Sequence, residues 1–166
     1  MSANATPPEP SGAELHWRAL ESLYASAPVN RLFDSTLAIA RPGEARIEFR
    51  VDDKFHHAAG AAHGTIYFKM LDDAAFYAAN TLVTDRFLLT TSFNLHFTRP
   101  VKLGQVRAEG RWISGRRRVL VAETVRVQVS VAAKRQGNQG RNEELLRVDG
   151  PRSRNASIGE IGRAHV

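Results

Sequence analysis

His56-His57-Ala58-Ala59-Gly60-Ala61-Ala62-His63-Gly64-Thr65, followed at once by Ile66 to Asn80, is the stretch from which the fold can be read. Small residues around Gly60 make a turn, and beyond His63 the apolar positions Ile66, Tyr67, Met70, Leu71, Ala74, Tyr77 and Ala78 recur at the helical period. The face they form is broad, which predicts a helix over 63–80 covered by sheet rather than lying on a surface.

The flanking segments read as strands on one side and a helix before them. Ser11-Gly-Ala-Glu14 has the form of a capping box opening a helix that runs to about Ser26, with Ala13, Trp17, Leu20 and Tyr24 on one stripe and Pro28 ending it. Leu32 to Ala40 is strand-like, Arg41-Pro42-Gly43-Glu44 suits a type II turn, and Ala45, Ile47, Phe49 and Val51 alternate with charged residues. After the central helix, Phe87 to Phe97 is predicted as one alternating strand stopped by Arg99-Pro100. Val106 to Trp112 follows, then a turn at Ser114-Gly115 and a run through Val119, Val121, Val125, Val127, Val129 and Val131. One antiparallel sheet around one buried helix, an α+β fold, is the economical packing.

Composition sets the outer limits. A chain of 166 residues builds one core, and it divides into an N-terminal arm over 1–12 expected to be disordered, a domain over 13–133 and a basic tail over 134–166. No apolar run approaches a membrane span and the start lacks a signal-peptide pattern, so a cytoplasmic protein without a membrane partner is expected. There is no cysteine, hence no thiolate nucleophile and no disulfide. The net charge of +6 is localised: residues 1–110 hold 11 Lys/Arg against 12 Asp/Glu, and 111–166 hold 12 against 5. All 13 aromatics lie at or before Trp112, so the basic third has no stacking platform for bases, and nucleic-acid binding is not expected.

The chemistry concentrates in the quoted stretch. Asp73 follows Lys69 by four residues, a spacing that makes a surface ion pair worth a few tenths of a kcal/mol. Asp72 falls between Phe68 and Phe76 at i−4 and i+4, on an apolar strip. A carboxylate there is either a cap for a neighbouring backbone group or a desolvated group suited to proton transfer. His63-Gly64 stands where the helix begins, so free amides and the positive end of the dipole are available to a carbonyl oxygen. His57 and His63 are metal-ligand types, but no third ligand stands at a familiar spacing, and no metal or cofactor is expected. Asp72 is nine residues after His63, half a turn out of phase and about 13 Å along the axis. If both serve one reaction, they come from different subunits.

His57-x-x-Gly60-x-x-His63-Gly64, Asp72 nine residues after the histidine, and a strand ending Phe97-Thr98-Arg99-Pro100 together resemble the hotdog-fold acyl-CoA thioesterases, in particular the phenylacetyl-CoA branch. The resemblance covers about residues 15 to 123. It implies a hotdog fold, a curved antiparallel β-sheet wrapped around a long central α-helix, assembled as a homodimer or homotetramer and hydrolysing an acyl-CoA to a carboxylic acid and free coenzyme A. It further implies Asp72 as general base or nucleophile, the Gly64 N–H as oxyanion donor, and His63 with His57 orienting the thioester. Thr90, or Thr91 if the register is one off, would hold the attacking water. Gly60, Thr65, Phe68 and Phe76 would shape the acyl site, and Arg116 and Arg117 would meet the phosphates of coenzyme A. The chain departs from the family at His57, where the pattern has Asn; at Thr65, where it has a second Gly; and past Glu123, where the expected Gly-rich, aromatic final strand is missing. A hydratase or dehydratase on the same fold, and an acyl-CoA-binding module without catalysis, are the rival readings.

Overall fold

The computed structural model describes residues 11–97, 99–116, 119–130, 143–144 and 156–160. Two helices, α1 (Gly12–Ser26) and α2 (Pro28–Arg31), precede strands β1 (Thr36–Ala38) and β2 (Glu44–Val51). The long helix α3 (Gly64–Asn80) follows, then β3 (Leu88–Ser92), β4 (Gly104–Arg116), β5 (Val119–Ser130), β6 (Glu143–Glu144) and β7 (Ala156–Glu160). All pairings are antiparallel, in the order β1-β2-β4-β5-β7-β3, with β6 beside β5. Helix α3 packs against β2, β3, β4, β5 and β7. The fold is therefore α+β and hotdog-like, a central helix on an antiparallel sheet.

The local signals act as chemistry requires. Ser11 Oγ accepts from the Glu14 amide at 3.3 Å and the Glu14 carboxylate accepts from the Ser11 amide at 2.7 Å, the reciprocal capping box. Trp17, Leu20 and Tyr24 are buried while Ala13 is exposed, so the stripe is one turn shorter than its periodicity predicted. Pro28 ends α1 and also begins α2, occupying the first turn, where its missing N–H costs nothing. The Glu44 amide donates to Arg41 across 3.3 Å, with Gly43 at φ 76°, which closes the turn before β2. Along β2, Ala45, Ile47, Phe49 and Val51 are all buried. Their apolar face meets α3, where Met70, Ala74 and Ala78 have no exposed surface; filling such sites is worth about 1.5–3 kcal/mol per large side chain.

Three strands differ from the pattern. The Leu32–Ala40 run is strand only at β1, because α2 and Asp34, at φ 50°, turn the chain just before it. The alternation from Phe87 to Phe97 is strand only over β3, which pairs with β7 from Leu88 opposite Glu160 to Ser92 opposite Ser157. The reversal expected at Ser114-Gly115 comes later: β4 continues to Arg116, which pairs with Val119.

The start of β5 buries its even-numbered positions. Leu120 and Ala122 are buried and Val119 is exposed, the reverse of the odd-numbered valine set. A β-bulge follows on the same strand: Glu109 pairs with Arg126 but Gly110 pairs with Thr124, so Val125 is the extra residue. Strands β6 and β7 fall beyond residue 133, in the stretch expected as a tail, and β7 lies inside the sheet between β5 and β3. The expected arm lies outside the described residues up to Pro10, as does most of the tail.

Candidate active site

The loop before α3 is held at both ends. The His57 amide donates to Ala61 at 2.8 Å and the Gly60 amide to His57 at 2.9 Å, a tight turn in which Gly60 takes φ 75°. That left-handed value favours glycine. The Ala62 amide bonds Val101 and the His63 amide bonds Phe55, each at 2.8 Å, so the entry to α3 is tied to two other segments.

His57 and His63 are exposed, and each uses Nδ1 as an acceptor. Nδ1 of His57 accepts from the Ala59 amide at 3.0 Å. Nδ1 of His63 accepts from the Thr65 amide at 3.3 Å and lies 2.9 Å from Thr65 Oγ1. An amide can only donate, so in each neutral ring the proton sits on Nε2, which is left to point a donor at a ligand. His63 thereby caps α3, and Thr65 orients the histidine that precedes it. The Gly64 amide belongs to the first helical turn and has no intrahelical acceptor; among the described residues nothing accepts from it. Beside it lies a cavity of about 320 Å³ lined by His57, Ala62, Gly64, Tyr67, Phe97, Arg99 and Pro100. A Cβ on Gly64 would lie 3.0 Å from Cζ of Phe97, so glycine brings the backbone to the cavity wall.

Asp72 stands elsewhere, toward the middle of α3. Its Oδ1 accepts from Thr90 Oγ1 at 2.8 Å. Of the two candidate threonines, Thr90 makes this bond. Burial raises the Asp72 carboxyl above its ordinary range; the Thr90 hydrogen bond pulls it down, the Asp73 charge pushes it up and Lys69 lowers it. Phe68 stacks edge-on against Phe93 at 5.2 Å and Phe76 packs on Phe87 at 5.5 Å, so rings flank the carboxylate. Phe68 and Phe87 are exposed, at 44% and 57%.

Asp73 is not the surface partner its spacing predicted. Lys69 bonds Asp73 Oδ2 and donates to Asn30 Oδ1 at 2.6 Å, with Tyr24 and Phe33 rings 5.5 and 5.4 Å away. The Lys69 and Asp73 side chains are only 18% and 21% exposed, covered by residues of α1, α2 and the loop after α2. The pair joins α3 to the N-terminal helices and leaves Asp72 as the carboxylate beside the aromatic strip.

The structure thus sorts the expected residues into two groups. His57, Gly60, His63, Gly64 and Thr65 cluster at the start of α3, and Asp72, Thr90, Phe68 and Phe76 cluster farther along it. Arg117 lies outside the described residues, and for Arg116 only the backbone, in β4, is described. Sequence reading missed Phe97, Arg99 and Pro100 as cavity walls; their position straight after the aromatic alternation was the available signal. Among the described residues no three His, Asp or Glu side chains gather as a metal site requires, and no helix is long and apolar enough to cross a membrane.

Residues 59–130 match the sequence profile of the Thioesterase superfamily. No curated protein matches the chain. Among solved structures, the chain is similar to the E. coli PaaI protein from the phenylacetic acid degradation operon, with TM-score 0.67, 16% identity and 92% and 97% of the two chains covered. A thioesterase family protein from Silicibacter pomeroyi gives 0.66 at 19% identity, covering 89% and 97%. A conserved protein from Pseudomonas aeruginosa gives 0.64 at 20%, covering 84% and 98%. These identities speak for the fold.

Proposed function

We propose that the protein hydrolyses acyl-CoA thioesters to a carboxylic acid and free coenzyme A, as a homodimer or dimer of dimers. The observation that carries this reading is the Thr90-held, half-buried Asp72 carboxylate on an aromatic strip, on the same helix whose first turn offers the free Gly64 amide at a cavity.

In this reading Asp72 of one subunit removes a proton from water as the oxygen attacks the thioester carbonyl. Thr90, donating to the carboxylate, keeps its oxygen lone pairs for that water. The Gly64 N–H of the other subunit stabilises the developing oxyanion, aided by the helix dipole. Collapse of the tetrahedral intermediate breaks the C–S bond, and the proton taken from water leaves on the coenzyme A sulfur. The Nε2–H donors of His57 and His63 orient the thioester. Helix geometry supports sharing between subunits, since Gly64 and Asp72 are eight residues apart, about 12 Å along the axis. The match of residues 59–130 to the Thioesterase superfamily profile supports thioester chemistry, and the similarity to the PaaI fold favours an aryl-acetyl substrate among the acyl groups to be tried.

The test is thiol release from aryl, short, medium and long acyl-CoAs by the wild type and Asp72→Asn. Turnover of at least one ester, lost in the variant, is expected. Undiminished turnover in the variant would remove Asp72 from the mechanism, and no turnover of any ester would favour a binding module.

A further inference from the structure

The peptide group joining Leu71 to Asp72 is gripped from outside its own helix. Thr124 Oγ1, on β5, donates to the Leu71 carbonyl oxygen at 2.9 Å. In a regular helix that carbonyl already accepts from the amide four residues on, so the hydroxyl takes its second lone pair. One turn of chain farther, β4 touches the helix backbone itself: a Cβ on Gly110 would lie 2.0 Å from the Ala74 carbonyl oxygen and 2.6 Å from the Ala75 amide nitrogen.

Gly110 and Thr124 are partners across the β4–β5 ladder. They are partners only because of the bulge, which passes over Val125; in an unbroken register Gly110 would face Val125. Bulges re-aim side chains, and a slip of one residue exchanges the two faces of a strand. Here the consequence is a hydroxyl, instead of an isopropyl group, at the point where the sheet reaches the Leu71 carbonyl.

The Leu71 carbonyl and the Asp72 carboxylate therefore each accept from a hydroxyl, from strands that are not neighbours, β5 and β3, with β7 between them. We propose that Thr124 is a positioning residue for Asp72, fixing the Leu71–Asp72 peptide while Thr90 fixes the carboxylate. The proposal rests on the reading of Asp72 as the base.

The test compares Thr124→Val, which keeps the shape and removes the O–H, with Thr124→Ser, which restores it. In thiol release well below the unfolding temperature, T124V should lose kcat on the order of 10-fold with KM little changed, since small misplacements of a reacting group are costly. T124S should recover most of the loss. A role in stability alone would lower the unfolding temperature of T124V and leave kcat at wild type, and that result overturns the proposal. Titration of the Asp72 carboxyl by ¹³C NMR reads positioning independently of turnover. Displacement in T124V but not in T124S supports the proposal even if D72N keeps its activity and the functional reading fails; an unmoved titration in both variants overturns it. Should T124V not fold, Thr124→Ala is read in the same way.

Discussion

Thr90 on β3 donates its hydroxyl proton to Oδ1 of Asp72 on α3 across 2.8 Å, and the carboxylate that accepts it is raised above its ordinary range chiefly by burial. The two effects oppose one another, so the hydrogen bond offsets part of what burial does to the carboxyl.

Replacing that carboxylate separates function from stability. Asp72→Asn still accepts from Thr90 but cannot take a proton, so thiol release should fall on the order of 10²- to 10⁴-fold. The desolvation cost of a charge disappears, and the midpoint in urea should stay or rise. Chemical denaturation beside the thiol assay checks both.

The pH dependence has a definite sign. With Asp72 as the proposed base, the acid limb of kcat should lie above the ordinary carboxylate range, because burial raises this group. Thr90→Val removes a bond that lowers it, so the limb should move to higher pH. Linkage predicts a matching stability effect. The folded-state carboxyl binds its proton more tightly than the unfolded one, so this group's contribution to stability falls as pH rises from the unfolded value through the raised folded value. An acid limb that stays in place in T90V would show that another group controls it.

Gly64→Pro isolates the oxyanion donor. Proline is well suited to the first helical position, and His63, at φ −65° and ψ 142°, already has the extended backbone that precedes proline. Phe97, 61% exposed, has room to shift from the added ring. The variant should fold while losing roughly 10²- to 10³-fold in kcat, the usual effect of deleting one such donor.

Subunit sharing is checked by mixing. D72N and G64P homodimers should each be inactive. Exchange in equal amounts should restore about a quarter of the wild-type activity, since half of the dimers would then carry one intact site of two. A mixture that stays inactive after verified exchange would place both halves of the site in one chain.

Lys69 should matter to stability more than an exposed lysine. Lys69→Met leaves Asp73 partly buried and without its cation, at about 1–3 kcal/mol, and the K69M/D73N double variant should recover part of that in urea unfolding.

Local physics was legible in the chain. The capping box at Ser11 and Glu14, the Gly43 turn, the β2 alternation and the 17-residue helix beginning at Gly64 each depend on residues within a few positions of one another. So does the separation of His63 from Asp72, which follows from helical rise alone. What tertiary structure decided involves partners distant in sequence. Thr90 meets Asp72 because β3 runs beside α3, Lys69 is covered because α1 and α2 lie over it, and Thr124 faces Gly110 because β4 pairs around Val125. Alternation shows that a strand has two faces without showing which one meets the helix. That choice belongs to the register between strands, and through Thr90 and Thr124 it sets the surroundings of Asp72.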